Sequence, residues 1–116
     1  MDEISVSVDT HIAEINEGTI NTYTINPQYF GLEPQDTQSL IATNPTESLR
    51  IINAVFDGEV GPATNIVAVN AGAAIYVAGI CDSIRSGFSM ALDAIRAGSA
   101  KKTFNDFILF TKTVRE

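Results

Sequence analysis

Asp2 and Glu3 are adjacent carboxylates that lead straight into Ile4-Ser5-Val6, and such a pair can hold a divalent cation. Hard cations take oxygen ligands, and Mg²⁺ in particular keeps room for water and for substrate phosphates. By residue type alone, an acidic pair of this kind is far more often a solvated end charge. The other chemistry-bearing residues default to structural readings. His11 is the only histidine, sits in a strand pattern and has no cysteine or second histidine to complete a metal site. Cys81 has no histidine at a readable spacing to activate it and reads as a small buried hydrophobe. Lys101 and Lys102 open the last expected helix, where positive charge opposes the helix dipole. A phosphate-binding role would rationalise them, but two solvated lysines are commoner. Glu33, Asp36 and Glu47 read as connector or capping charges. Asn70 lies inside an uncharged run, so it is expected to be buried, hydrogen-bonded and structural.

The elements that must position these groups differ between the two halves of the chain. Residues 4–25 are rich in Ile, Val, Thr and Tyr and read as strand-like, with a β-hairpin over about 10–25. Asn16-Glu17-Gly18 is its turn, with Gly18 in the left-handed region, and Asn26-Pro27 closes the second strand. Residues 27–44 form a connector with a short helix around Asp36–Ile41. From Asn44 the period becomes helical, and four helices are expected over about 44–115. Asn44 caps the first, Pro45 fits its first turn, and Glu47 occupies the capping-box position. Leu49, Ile52, Val55 and Phe56 form its apolar face, and Gly58 ends it. Pro62 opens the second helix, whose Ile66–Ile80 stretch is Ala/Gly-rich and expected to be buried on most sides. Its small residues suit close helix contact, and Gly72 needs a packing reason. Asp82 or Ser83 caps the third helix, with Ile84, Phe88, Ala91, Leu92 and Ile95 as its stripe. Ser99 caps the fourth, with Phe104, Phe107, Ile108 and Val114 buried.

Composition narrows the function classes. The 116 residues make one domain or less, with 45% hydrophobic and 18% charged residues, which is ordinary globular composition. Seven Lys plus Arg against fourteen Asp plus Glu give a net charge of −7, which argues against a nucleic-acid partner. The uncharged run 66–80 is shorter than the roughly 20 residues needed to span a bilayer, so no membrane insertion is expected. A lone cysteine and the lack of a secretory signal suit a cytoplasmic location.

Asp2-Glu3-Ile4-Ser5, then Thr10-x-Ile12-x-Glu14, Gly18 and Tyr23-x-Ile25-x-Pro27-x-x-Phe30-Gly31-Leu32 follow one another in order. Asn44–Ala54, Gly58, the block Asn70-Ala71-x-Ala73-Ala74-x-Tyr76-Val77-Ala78-Gly79, and then Gly87, Ala94 and Gly98 continue the pattern. From Asp2 to about Phe110 the chain resembles the closing third of anthranilate phosphoribosyltransferase. The resemblance implies an α/β parent fold of the nucleoside phosphorylase/phosphoribosyltransferase type, of which this chain is the carboxy-terminal portion. It implies transfer of phosphoribosyl from phosphoribosyl pyrophosphate to anthranilate in tryptophan biosynthesis. It places Mg²⁺ on Asp2 and Glu3 and places no other residue of this chain at the chemistry.

Parts of the family pattern are missing from these 116 residues. They lack the glycine-rich phosphate loop Gly-Thr-Gly-Gly-Asp, the Lys-His-Gly-Asn segment and the helical amino-terminal domain. Met1 stands where the family carries Leu. The expectation is a fragment, inactive on its own and self-associating through an exposed strand edge. The alternatives are a non-catalytic oligomerisation or binding remnant, and part of a pyrimidine nucleoside phosphorylase-like pentosyltransferase.

Overall fold

The computed structural model of the chain describes residues 1–114, so residue 115, where the helical part was expected to end, lies outside the described residues. Two antiparallel strands, β1 (Thr10–Asn16) and β2 (Thr19–Ile25), pair from Thr10 opposite Ile25 to Asn16 opposite Thr19. Glu17 and Gly18 form the two-residue turn, with φ of 49° and 78°. Positive φ at both positions matches the twist of the flanking strands. Gly18 is left-handed as expected; Glu17 joins it there at the steric cost a side chain carries.

The strand-like reading of residues 4–9 does not hold, because this segment is a run of bends. The Ser5 hydroxyl accepts from the Ser7 N–H (3.0 Å) and the Val8 N–H (3.3 Å), a local turn that competes with a ladder. After β2 a 3-10 turn over Pro27–Phe30 is capped by Asn26. It sets Phe30 edge-on to Phe88, with ring centroids 5.3 Å apart. A second 3-10 turn, Gln38–Leu40, stands where the short helix was expected.

The four helices are α1 (Pro45–Phe56), α2 (Pro62–Val77), α3 (Ile84–Arg96) and α4 (Ser99–Val114). Asn44 caps α1 through the Glu47 N–H at 2.9 Å. The Glu47 carboxylate misses the capping-box partner by one residue, accepting from the N–H and hydroxyl of Thr43, each at 2.8 Å. Ser83, not Asp82, caps α3. The Ser99 hydroxyl donates back to the Ala94 carbonyl and is not a cap for α4.

The core sits where α2 and α3 cross. Val69, Ala68, Phe88, Ala91 and Ile95 are buried there, with Ile4, Val6, Ile25, Phe30, Val55 and Ile84 around them. Gly72 and Gly87 meet backbone to backbone, and a Cβ built on Gly72 would sit 2.7 Å from the Phe88 Cα. That contact is the packing reason Gly72 was expected to have. The α3 stripe is buried as predicted, with Leu92 half-buried.

Three burial expectations fail. Leu49 and Ile52 on α1 are exposed, leaving Val55 as its buried residue. On α2, Val67 and Val77 reach the surface, so this helix is buried on one side only. On α4, Phe107 and Val114 are more than 60% exposed, and Phe104 and Ile108 are only half-buried. An apolar period shows which face of a helix is sticky, but another element must lie against it before it is buried. Phe56 stacked on Phe104 at 4.7 Å is the aromatic contact that holds α4 to α1.

Candidate functional site

Asp2 and Glu3 are fully solvated, but the chain immediately after them is tightly held. Asn70 on α2 accepts from the Ile4 N–H at 2.9 Å, and its amide nitrogen donates to the Ile4 carbonyl at 3.0 Å. The same amide nitrogen also donates to the Ile66 carbonyl at 2.9 Å, one turn back on α2. The Ser5 N–H donates to the Thr10 hydroxyl at 3.0 Å, and the Val6 carbonyl accepts from the Gln35 N–H at 2.9 Å. Ile4, Ser5 and Val6 are all buried. The acidic pair therefore projects from a fixed root. Asn70 is hydrogen-bonded, as its position in an uncharged run implied, but half-buried where burial was expected.

Behind that root, a groove of ≈ 690 Å³ opens between the hairpin and the second half of α2. Ile4, Ile12, Glu14, Tyr23, Tyr76 and Cys81 are among its walls. The Glu14 carboxylate bridges two phenols, accepting from the Tyr23 hydroxyl at 2.9 Å and the Tyr76 hydroxyl at 2.6 Å. Burial, then the hydrogen bond to Glu14 and its charge, push the Tyr23 phenol up to about 12. For Tyr76 the hydrogen bond to Glu14 comes first, burial second, and its phenol is raised too. Sequence reading missed this trio. Glu14 and Tyr76 are 62 residues apart, and only strand pairing and helix docking together bring them into contact. The one available cue was strand alternation, which places Ile12 and Glu14 on the same face of β1.

Of the remaining candidates only Cys81 borders this groove. His11 is exposed and its Nδ1 lies 2.9 Å from the Thr24 hydroxyl across the hairpin. Cys81 is half-buried, donating to the Ser83 carbonyl at 3.3 Å. Lys101 pairs with Asp57, and Lys102 pairs with Asp106 at 2.6 Å. Both lysines are thus committed to carboxylates of their own chain. Asp36 holds the Gln38 N–H in a turn, and Glu33 is exposed.

Among the described residues no group of three or more His, Cys, Asp or Glu side chains comes together to cage a metal ion. Two exposed carboxylates suit an ion that keeps much of its water and takes the rest of its shell from a substrate phosphate. The donor set of Asp2 and Glu3 thus fits Mg²⁺ and does not fit a dedicated protein cage. No helix among the described residues is long and apolar enough to cross a membrane.

Known proteins resemble this chain in sequence and in fold. The family "Glycosyl transferase family, a/b domain" matches residues 1–101. Anthranilate phosphoribosyltransferase from Polynucleobacter necessarius subsp. necessarius is 42% identical over 113 residues, which are 97% of this chain and 33% of that protein. The enzyme of that name from Vesicomyosocius okutanii is 43% identical over 108 residues, 93% of this chain and 32% of that protein. The crystal structure of anthranilate phosphoribosyltransferase from Thermus thermophilus superposes with a TM-score of 0.85 at 26% identity, covering 97% of this chain and 33% of that one. The chain thus spans about a third of the length of the curated relatives it matches. Because that family's match runs across residues 1–101 of 116, the chain belongs to the glycosyl transferase family, within its a/b domain.

Proposed function

We propose that this chain is the a/b-domain portion of an anthranilate phosphoribosyltransferase, contributing Asp2 and Glu3 as ligands of Mg²⁺. The likeness to enzymes of that name over 97% of the chain carries the reading. The substrates are then phosphoribosyl pyrophosphate and anthranilate. When bound, Mg²⁺ neutralises the pyrophosphate leaving group and orients it. The chain's own share is to root two solvent-exposed carboxylates on a held segment. The family's glycine-rich phosphate loop is not among its 116 residues. Alone, then, the chain does not turn over substrate, and it associates with further copies of itself.

The test is a chimera in which residues 1–116 replace the matching third of the Polynucleobacter necessarius enzyme, followed by anthranilate fluorescence. The expected result is consumption of anthranilate that requires phosphoribosyl pyrophosphate and Mg²⁺. Asp2→Asn with Glu3→Gln should lower it by at least about tenfold, the scale on which disturbing a metal site is felt. A chimera that folds but consumes only pyrimidine nucleosides, or nothing, overturns the assignment.

A further inference from the structure

We propose that Asn70 is the positioning residue of the Asp2–Glu3 carboxylate pair, an inference that rests on the metal reading above. The amide of Asn70 takes both backbone groups of Ile4, accepting at 2.9 Å and donating at 3.0 Å. This is the exchange two peptide units make in a β-ladder, performed here by one side chain on a helix. The second Nδ2 hydrogen donates to the Ile66 carbonyl, so the amide is fixed on its own helix and presents one orientation to Ile4. Ile4 is the residue directly after Glu3, and its side chain is buried. Downstream, Thr10 and Gln35 hold Ser5 and Val6. Upstream, Met1, Asp2 and Glu3 are exposed. Ile4 is therefore where the held chain gives way to the solvated acidic pair, and Asn70 is what holds it.

A purely structural asparagine would give a different result from a positioning one. Two carboxylates on a wandering segment must be ordered when the metal binds, whereas a fixed root supplies that order beforehand. Removing the clamp should therefore weaken metal binding out of proportion to any loss of stability. Outer partners of this kind typically contribute 10–100-fold to metal affinity.

The experiment uses the whole 116-residue chain, labelled with ¹⁵N, and compares it with Asn70→Ala, Asn70→Asp and Val69→Ala. Asn70→Asp keeps the acceptor for the Ile4 N–H and loses the donor to its carbonyl, so it covers the case in which the alanine variant does not fold. Val69→Ala opens the same helix's core without touching the clamp. The first readout is the heteronuclear NOE of the Glu3 and Ile4 amides, which needs no metal. It should be high in the parent chain and in Val69→Ala, and low in the Asn70 variants. Unchanged NOE values in a folded Asn70 variant overturn the proposal. The second readout is broadening of the same two amides by Mn²⁺. The Asn70 variants should need about tenfold more Mn²⁺ than the parent, with Val69→Ala unchanged. An equal Mn²⁺ requirement in all four proteins overturns the positioning role. A parent chain that Mn²⁺ does not broaden at all overturns the metal reading beneath it, and the NOE comparison tells that failure from failure of the clamp.

Discussion

Glu14 meets two phenols in the groove wall and makes both harder to ionise. The Tyr23 phenol is pushed up to about 12, with burial the largest cause and Glu14 the next. In the unfolded chain it would lose its proton near 10, its ordinary value. Between those values the folded state holds a proton that the unfolded state has released. Stability from this group is therefore complete below pH 10 and drains away as pH rises towards 12. Ultraviolet titration should show the Tyr23 phenol ionising well above 10, at about 12. Glu14→Gln should bring that midpoint down, but not to 10, because burial remains. An unchanged midpoint would mean that the carboxylate contributes nothing. Legibility at this scale followed chemical locality. The Asn44 cap was readable because cap and N–H are three residues apart. Asn70 was readable as an amide needing partners, but its partner, Ile4, could not be named from sequence. Glu14 was not readable at all, because a glutamate on a strand looks like any solvated charge until a helix arrives beside it.

The contact between α2 and α3 is set by what is missing from Gly72 and Gly87. A Cβ on Gly72 would fall 2.7 Å from the Gly87 carbonyl carbon, and one on Gly87 would fall 2.8 Å from the Gly72 carbonyl carbon. Backbone cannot rotate away as a side chain can, so the helices would have to separate. Gly72→Ala is expected to destabilise by about 3 kcal/mol, at the upper end of the usual cost of overpacking, despite the better helix propensity of alanine. Urea unfolding checks this, and a stabilised variant would mean that the crossing yields easily. Sequence did indicate close approach here, through Ala71, Gly72 and Ala74 crowded on one helix. The hairpin turn and the α3 stripe were legible for similar reasons, since both are written in short-range patterns. The α4 stripe was misread because its apolar spacing is real while its neighbour is absent among the described residues.

Over the whole molecule, large exposed apolar side chains occur on the hairpin and on every helix, with Phe107, Leu109, Phe110 and Val114 together on α4. Phe107, Phe110 and Val114 lie three and four residues apart on one side of α4, each more than 60% exposed, and Leu49 and Ile52 are open on α1. The two-stranded sheet adds two unpaired edges. Exposed apolar side chains of this sort draw protein partners, and a second copy supplies the same surface. The net charge of −7 opposes this weakly and is screened at physiological salt. Sedimentation should show mass rising with concentration, and more steeply at high salt. Phe107→Glu with Phe110→Glu should shift the association constant by at least about tenfold, as burying unpaired charges would require. A monomer across the whole concentration range would contradict it.

The two ties that seat the front of the chain on α2 also set an order of events during synthesis. Ile4 waits for Asn70, 66 residues later, and Glu14 waits for Tyr76, 62 residues later. At roughly 5–20 residues per second, translation leaves the acidic pair unanchored for several seconds. The hairpin can close within microseconds of emerging. Ile4 and Glu14 are thus held only once α2 has been made, and the ribosome sets the pace at which they are.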